Sequence, residues 1–216
     1  EIGRWAILGK NVVGEMMNDI VCLDLEGVLV PEIWINVAEK TGIEALRRTT
    51  RDEPDYGKLM RGRIKILDEH GLSLSDIQAV IAEMGPLDGA KAFLDELRSL
   101  TQVLILSDTF AEFAKPLMKQ LGWPTLWCNS LEVVDDRIVS HRMRIENGKK
   151  AAIEALRSLN FRTFAAGDSY NDLAMIEAAD GGCLFRAPVA ILGDYPHLAM
   201  TVEYDELLAQ VKEFLR

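Results

Sequence analysis

The chain has 216 residues and a mass of 24.1 kDa, and 49% of its residues are apolar, which is enough for a full hydrophobic core. Its formal net charge of -10 and pI near 4.9 argue against nucleic acid or an anionic membrane as a partner, because such a surface would repel either. A small molecule is therefore the expected partner.

The cellular setting follows from what the sequence lacks. Apolar runs fall short of the roughly 20 residues that a membrane span requires, and the N-terminal residues have no signal-peptide pattern. Cys22, Cys128 and Cys183 lie in apolar contexts, and their number and spacing suit neither a disulfide framework nor a zinc site. We therefore expect a cytoplasmic protein with no membrane partner, and a homodimer stays open. Met17 could itself begin a complete first strand, so residues 1–16 are interpreted as an N-terminal extension, non-native or disordered.

The first elements are a buried strand and then a long helical stretch. Residues 19–25 predict the strand, because their apolar residues are continuous and include β-branched types. Gly27 then permits a tight turn. Residues 32–85 have helical apolar spacing with no intervening strand, and Ser75 is predicted to cap the last helix before a stop at Gly85-Pro86. This stretch is a predicted helical cap.

Strands and helices alternate after residue 86. Helices are predicted around residues 92–100, up to 121, at 149–159, 173–179 and 204–215, and a hairpin with an acidic turn at 133–139. Strands are predicted at 102–106, 125–128, 161–166 and 182–185. This alternation predicts an α/β fold, a Rossmann-like doubly wound parallel sheet built from residues 17–31 and 86–216, with the cap 32–85 inserted after the first strand.

Polar residues follow three of the predicted strands. Asp24, Ser107 and Asp168 each lie at a strand end, and the carboxyl ends of parallel strands meet at one edge of the sheet. Asp24 and Asp168 offer the hard oxygen ligands that Mg²⁺ prefers. The second oxygen of Asp24 could attack phosphorus, while Glu26, on the same side of the extended segment, could protonate the leaving oxygen. The pattern predicts metal-assisted phosphoryl transfer.

The substrate phosphate needs donors and positive charge as well. Ser107, Thr109 and nearby backbone N–H groups can bind phosphoryl oxygens, with Asp108 assigned to the same substrate-binding segment. Lys149 can stabilise Asp24 and the phosphate together. Each motif taken alone is more often a turn, a helix cap or a solvated lysine, but the ordered set of four favours a site.

The ordered set consists of four segments, which are Asp24-Leu25-Glu26-Gly27-Val28, Ser107-Asp108-Thr109, Lys149 and Gly167-Asp168-Ser169-Tyr170-Asn171-Asp172. These four motifs resemble those of the haloacid dehalogenase superfamily of phosphohydrolases, from about residue 18 onward. The position of the cap, directly after the first motif, resembles the phosphoserine phosphatase branch.

The resemblance implies roles for individual residues. Asp24 would be the nucleophile and Glu26 the acid/base, with Mg²⁺ held by Asp24, the backbone carbonyl of Glu26 and Asp168. Asn171 would contact the substrate and Asp172 would support the water shell of the metal. The superfamily usually has Asp where this chain has Glu26, and the extra methylene displaces the acid group. The implied reaction is hydrolysis of O-phospho-L-serine through an aspartyl-phosphate, together with phosphoryl transfer to L-homoserine.

A phosphoamino acid also presents an ammonium and a carboxylate, which need opposite charges in the cap. Glu32 and Arg63 suit those roles, although a helix N-terminal acid and an exposed basic side chain are equally good readings of the pattern. Arg63 shares a helix face with apolar residues, where a solvated charge is unexpected. Tyr56 and Thr50 are weaker candidates for the pocket, and Trp34 is interpreted as a core residue.

Two other functions stay open. One is a phosphatase of the same superfamily that acts on a different small phosphate ester. The other is a phospho-accepting receiver or binding module, which also places acids at the ends of parallel strands. The helical insertion and Glu26 argue against a receiver, because a receiver needs neither a lid over a substrate nor an acid for a leaving group.

Overall fold

A computed structural model describes residues 18–49, 52–53 and 55–216. The proposed extension, residues 1–16, and the candidate Thr50 lie outside this part of the chain. Within it, seven strands form one sheet in the order β4-β3-β2-β1-β5-β6-β7, and every neighbouring pair is parallel except β3–β4. The strands are β1 Asn18–Leu23, β2 Gln102–Phe110, β3 Thr125–Val134, β4 Arg137–Arg142, β5 Phe161–Gly167, β6 Gly181–Phe185 and β7 Ala199–Thr201.

Helices cover both faces of the sheet, which confirms the predicted α/β class. Along β1 the side chains of Val21 and Leu23 join one apolar cluster, while those of Ile20 and Cys22 join the other, as the two-residue period of a strand requires. The described helices are α1 Ile33–Thr41, α2 Tyr56–Glu69, α3 Leu74–Met84, α4 Ala90–Leu100, α5 Ala111–Gln120, α6 Gly148–Ser158, α7 Leu173–Ala178, α8 Ala190–Asp194 and α9 Tyr204–Phe214. None of these helices has the length and apolar character of a membrane span.

The strand order reverses at β1. The chain runs outward through β2 and β3 on one side of β1, then returns to β5 on the other side and continues through β6 to β7. Ligands of open α/β sheets bind beyond the carboxyl ends of the strands at such a reversal. Leu23 at the end of β1 pairs with Ala166 of β5, so the loops after these two strands begin side by side.

Helices α1, α2 and α3, with a 3₁₀ turn at Glu44–Arg47, occupy the predicted cap segment and pack on the core. Ile33 and Val37 of α1 and Ile81 of α3 belong to the same apolar cluster as Phe113 of α5. Polar contacts add to this packing, since the side chain of Gln78 donates to the carbonyl of Glu112 at 2.7 Å.

Several predicted boundaries were wrong for local reasons. The N-cap of α3 is Ser73 rather than Ser75, because Ser73 forms a capping box with Asp76. Strand β2 continues to Phe110 through a register shift against β3, so residues 107–109 lie inside the strand and not after it. Strand β3 likewise extends to Val134, where pairing with β4 prolongs it. The short elements α8 and β7 were not predicted, because three to five residues carry too little periodicity.

Candidate active site

Asp24 directly follows β1, and its carboxylate is buried at the carboxyl edge of the sheet. Its backbone N–H donates to the carbonyl of Ala166 at 3.0 Å, which extends the β1–β5 pairing by one residue. Oδ1 accepts from the N–H of Leu25 at 2.7 Å, and Oδ2 lies 2.9 Å from Nζ of Lys149. Burial and the charge of Asp172 raise the pKa of Asp24 well above its ordinary value, against the opposing effect of Lys149. Keeping this carboxylate ionised therefore calls for further positive charge.

Lys149 lies in the first turn of α6 and is buried among three acids. Its Nζ is 2.9 Å from Asp24, 2.7 Å from Oδ1 of Asp172 and 3.8 Å from Oδ2 of Asp108. Burial by itself lowers the pKa of Lys149, but the charges of Asp24 and Asp172 raise it well above its ordinary value. Lys149 is thus a fixed cation beside Asp24, and the alternative of a solvated lysine was wrong.

The loop after β5 is organised by Asp172, which is fully buried. Its Oδ2 accepts from the backbone N–H groups of Asp168 and Ser169, each at 3.1 Å, and from the hydroxyl of Ser169 at 3.0 Å. Its Oδ1 accepts from Lys149 at 2.7 Å. Asp172 therefore joins the loop that carries Asp168 to the cation beside Asp24.

Three carboxylates converge where a metal is expected. Asp24, Asp168 and Asp172 each offer a carboxylate oxygen within 4.8 Å of the others. Burial, followed by the charges of Asp172 and Glu32, raises the pKa of Asp168 to about 7. Three acids against the single charge of Lys149 leave surplus negative charge, and hard oxygen donors suit Mg²⁺. The residues present therefore fit this ion.

The hydrogen bonds rank the three acids as ligands. Asp172 already accepts from Lys149 and from the loop, whereas Asp168 has its side chain beside the turn at Gly27. This favours Asp24 and Asp168 as direct ligands, while Asp172 holds Lys149 and the loop that carries Asp168. The backbone carbonyl of Glu26 as a further ligand stays a prediction.

Glu26 is half-buried between the core and the cap. Its Oε2 accepts from the backbone N–H of Ile33, the first residue of α1, at 2.8 Å. Burial and the charge of Glu32 raise the pKa of Glu26 to about 7. A carboxyl group with such a pKa can donate a proton near neutral pH and take one back. The longer side chain of Glu therefore ties this acid to the cap.

The segment 107–109 lies where β2 departs from regular pairing with β3. Ser107 and Thr109 are buried, and Oγ of Ser107 accepts from the N–H of Thr109 at 3.2 Å. The carbonyl of Asp108 accepts from Nδ2 of Asn129 at 3.0 Å and from the hydroxyl of Tyr56 at 3.3 Å. The irregular strand thus presents two hydroxyls at the carboxyl edge of the sheet, and Tyr56 of the cap bonds to it.

A cavity of about 320 Å³ lies between the cap and this edge of the sheet. Its size suits a small molecule, and it brings both predicted cap residues to the acid/base candidate. The cap contributes Glu32, Trp34, Tyr56 and Arg63 to its lining, and the core contributes Glu26, Asp108, Thr109, Phe110, Ser169 and Asn171. Glu32 and Asn171 are exposed, whereas Arg63 is buried.

Arg63 is a buried cation that no carboxylate of the described residues reaches at ion-pair distance. Its Nη2 donates to the carbonyl of Arg48 at 2.7 Å, and its Nη1 lies 3.7 Å from the sulfur of Met60. Nε has no hydrogen-bond partner within the described part of the chain. Burial lowers the pKa of Arg63 to about 10, so the side chain stays charged at neutral pH. A positive charge without a direct carboxylate partner among the described residues therefore borders the cavity, and the more distant charges of Glu26 and Glu32 favour its protonated form.

Several cavity residues were missed in the sequence, and two of them are polar or aromatic side chains with fixed neighbours. Trp34 was interpreted as core, but it is half-buried and lines the cavity. Ser169 also lines the cavity, and its Ser-x-x-Asp spacing to Asp172 is a capping pattern that could have revealed its fixed position.

Comparisons with known proteins point to one family. A family model described as haloacid dehalogenase-like hydrolase matches residues 19–180. A phosphoserine phosphatase of Pseudomonas syringae pv. tomato is 55% identical over 207 residues, which cover 95% of this chain and 86% of the relative. Phosphoserine phosphatase ThrH of Pseudomonas aeruginosa is 54% identical over 199 residues, which cover 92% of this chain and 96% of the relative.

Solved structures show the same fold at lower identity. A phospho-aspartyl intermediate analogue of phosphoserine phosphatase superposes with a TM-score of 0.73 at 20% identity, covering 89% of this chain and 98% of that one. A substrate-bound phosphoserine phosphatase complex gives a TM-score of 0.73 at 20% identity, covering 90% and 99%.

Proposed function

The chain belongs to the haloacid dehalogenase-like hydrolases, and on that premise we propose that it is a Mg²⁺-dependent phosphatase of O-phospho-L-serine. We also propose that it transfers the phosphoryl group to L-homoserine. The names of the two Pseudomonas relatives support the substrate, since both are phosphoserine phosphatases more than half identical to this chain.

One arrangement carries the proposal. Asp24 and Lys149 form an ion pair at the carboxyl edge of the sheet, and Glu32 and Arg63 line the cavity between the cap and that edge. A phosphoserine with its phosphate at Asp24 would present its carboxylate to Arg63 and its ammonium to Glu32. The charges of the site therefore match the three charged groups of this substrate.

In the first step, a carboxylate oxygen of Asp24 attacks phosphorus and forms an aspartyl-phosphate while the bond from phosphorus to the serine oxygen breaks. Glu26 donates its proton to the departing oxygen, which leaves as the hydroxyl of serine. Ser107, Thr109 and Lys149 donate hydrogen bonds to the phosphoryl oxygens. The cap keeps water out during this step, with joints near Pro31 and Gly85-Pro86.

In the second step, Glu26 is a carboxylate and takes a proton from the attacking hydroxyl. Water as the attacking group releases inorganic phosphate, and homoserine releases phosphohomoserine. Either reaction breaks the bond between phosphorus and Asp24 and restores both carboxyl groups to their starting forms.

Mg²⁺ would be held by Asp24 and Asp168, with Asp172 supporting it, and when bound it would neutralise charge on the phosphoryl oxygens. The three converging carboxylates support this assignment. We further propose a cytoplasmic location, because Cys22, Cys128 and Cys183 are free thiols.

The test is ³¹P NMR of the protein with phosphoserine and Mg²⁺, with and without homoserine. Loss of the phosphoserine signal with growth of inorganic phosphate is expected, and a phosphohomoserine signal should appear when homoserine is added. Phosphoserine that persists while an aryl phosphate is hydrolysed would favour a different small phosphate ester. Stable labelling of Asp24 without release of phosphate would favour a receiver.

A further inference from the structure

Arg63 has an aromatic partner where a buried cation ordinarily has an acid. Its Cζ lies 4.4 Å from the centroid of the Trp34 ring. A guanidinium over a tryptophan face is attracted to the ring, but the ring does not cancel its charge. A carboxylate in the position of Trp34 would neutralise Arg63 and compete with a substrate carboxylate. Trp34 therefore stabilises the cation and leaves it able to bind an anion.

Trp34 also connects Arg63 to the core. The Trp34 ring packs edge-on against Phe113 of α5, with centroids 5.3 Å apart and planes at 73°. Phe113 is fully buried and packs edge-on against Phe110, which ends β2 and lines the cavity. This aromatic series runs from the strand that carries Ser107 and Thr109 to the guanidinium in the cap. It therefore links Arg63 by direct ring contacts to the strand that carries the phosphate-binding hydroxyls.

We propose that Trp34 is a specificity-determining residue that positions Arg63 to bind the carboxylate of the substrate. The inference rests on the proposed phosphoserine activity and adds a residue to which that activity assigns no role. Two further contacts of Arg63 support it. Its hydrogen bond to the carbonyl of Arg48 fixes one end of the guanidinium, while Nη1 meets only the weak acceptor of Met60 and Nε has no partner among the described residues. The ring thus supplies most of the restraint on the rest of the group.

The experiment compares kcat and KM for phosphoserine with those for p-nitrophenyl phosphate, an ester without a carboxylate. Trp34→Leu removes the ring, and Trp34→Phe keeps an aromatic face in the same place. We expect Trp34→Leu to lower the ratio of kcat/KM for phosphoserine to that for the aryl ester by about tenfold, mainly through KM. Trp34→Phe should recover most of the ratio. Trp123→Leu is the matched control, because Trp123 is exposed and should leave the ratio unchanged.

A double-mutant cycle separates positioning from simple packing. In an Arg63→Ala background the ratio should already be low, and adding Trp34→Leu should lower it no further. An equal loss for both esters in Trp34→Leu, or the same additional fall in the Arg63→Ala background, would overturn the inference. Melting temperatures of each variant show whether a general loss of structure explains an equal fall.

The same measurements separate this inference from the proposed function. If the wild type prefers phosphoserine and Trp34→Leu leaves the ratio of the two kcat/KM values unchanged, only the role of Trp34 is contradicted. If the wild type hydrolyses the aryl ester but shows no preference for phosphoserine, both proposals are contradicted.

Discussion

A Cβ atom at Gly27 would lie 2.3 Å from Cγ of Asp168, so the turn after β1 and the loop after β5 touch through a space that has no room for a side chain. Gly27 has a φ of 74°, which also favours glycine. The close approach brings the acid of one loop against the backbone of the loop that carries Asp24. Glycine at this position is therefore a condition for the convergence of the acids.

We predict that Gly27→Ala lowers Mg²⁺ affinity and phosphatase activity by roughly 10- to 100-fold, because the new methyl group must displace Asp168. Gly42→Ala is the matched control. Gly42 has a similar φ of 70°, but a Cβ there meets nothing within 4 Å. The Gly42→Ala substitution should lower the free energy of unfolding by about 1 kcal/mol and leave activity intact. Equal activity losses in the two variants would show that backbone strain matters and the contact with Asp168 does not.

Asp24→Asn is predicted to abolish turnover, since an amide cannot serve as the nucleophile. The fold should persist, because the substitution preserves size and removes a carboxylate whose pKa burial raises well above its ordinary value. Release of phosphate and the far-UV circular dichroism spectrum are the measurements. Normal turnover by this variant would exclude Asp24 as the nucleophile.

Lys149→Met should inactivate the protein and lower its free energy of unfolding by about 3 kcal/mol or more, because Asp24 and Asp172 would lose their shared cation. Lys150→Met provides the comparison. Lys150 is exposed and 3.6 Å from Glu154, so its loss should change stability by less than about 0.5 kcal/mol. Urea titration and phosphate release measure the two effects. Similar stability losses at positions 149 and 150 would contradict the role of burial.

Metal binding and pH should be linked through Asp168. Its pKa of about 7 in the folded chain exceeds its ordinary value of 3.8, so the folded state binds more protons between these values. The stability of the metal-free protein should therefore fall as pH rises from about 4 through 7. Mg²⁺ competes with those protons, so it should raise the melting temperature more at pH 8 than at pH 5.

Thermal unfolding in EDTA and in Mg²⁺ at both pH values is the measurement. In the Asp168→Asn variant, the rise in melting temperature caused by Mg²⁺ should be nearly the same at pH 5 and pH 8. If Mg²⁺ raises the melting temperature of the wild type equally at pH 5 and pH 8, the metal ligands are not carboxylates that are protonated at the lower pH.

The hairpin of β3 and β4 holds the cap through Asp136. The carbonyl of Asp136 accepts from the N–H of Leu74 at 2.7 Å and its Oδ1 from the N–H of Ser75 at 3.1 Å, at the start of α3. We predict that Asp136→Ala lowers the free energy of unfolding by about 1 kcal/mol and increases the rate of backbone hydrogen exchange at the start of α3. Asp135→Ala, at another turn position with positive φ, should leave this exchange unchanged. Equal protection of α3 in both variants would show that the side-chain bond does not restrain the cap.

Much of the core fold could be predicted from local patterns. The continuous apolar run before Asp24 predicts a buried parallel strand, because such a strand is covered on both faces. Gly85-Pro86 likewise predicts the end of α3, since Gly85 has positive φ and Pro86 cannot continue a helix. The N-cap was misplaced by two residues, because Ser73 and Ser75 both precede the helical pattern and only one pairs with Asp76.

The cap side chains were harder to predict than the motifs. Arg63 could be singled out because it interrupts an apolar helix face, but the same face gave no sign that its partner is an aromatic ring. Trp34 has an ordinary core spacing along α1, and its contact with Arg63 bridges residues that are 29 positions apart in the chain (63 − 34). Pairings of this kind depend on how helices cross, which periodicity does not contain.

The sequence by itself determined the order of the longer strands and helices and the residue types at or near the ends of β1, β2 and β5, because these follow from apolar period and local turn chemistry. The tertiary structure decided which acids meet, that Lys149 is buried among them, and that Arg63 keeps its charge against Trp34. Those features arise when distant segments exclude water from a shared space, where the cost of burying a charge depends on the groups around it.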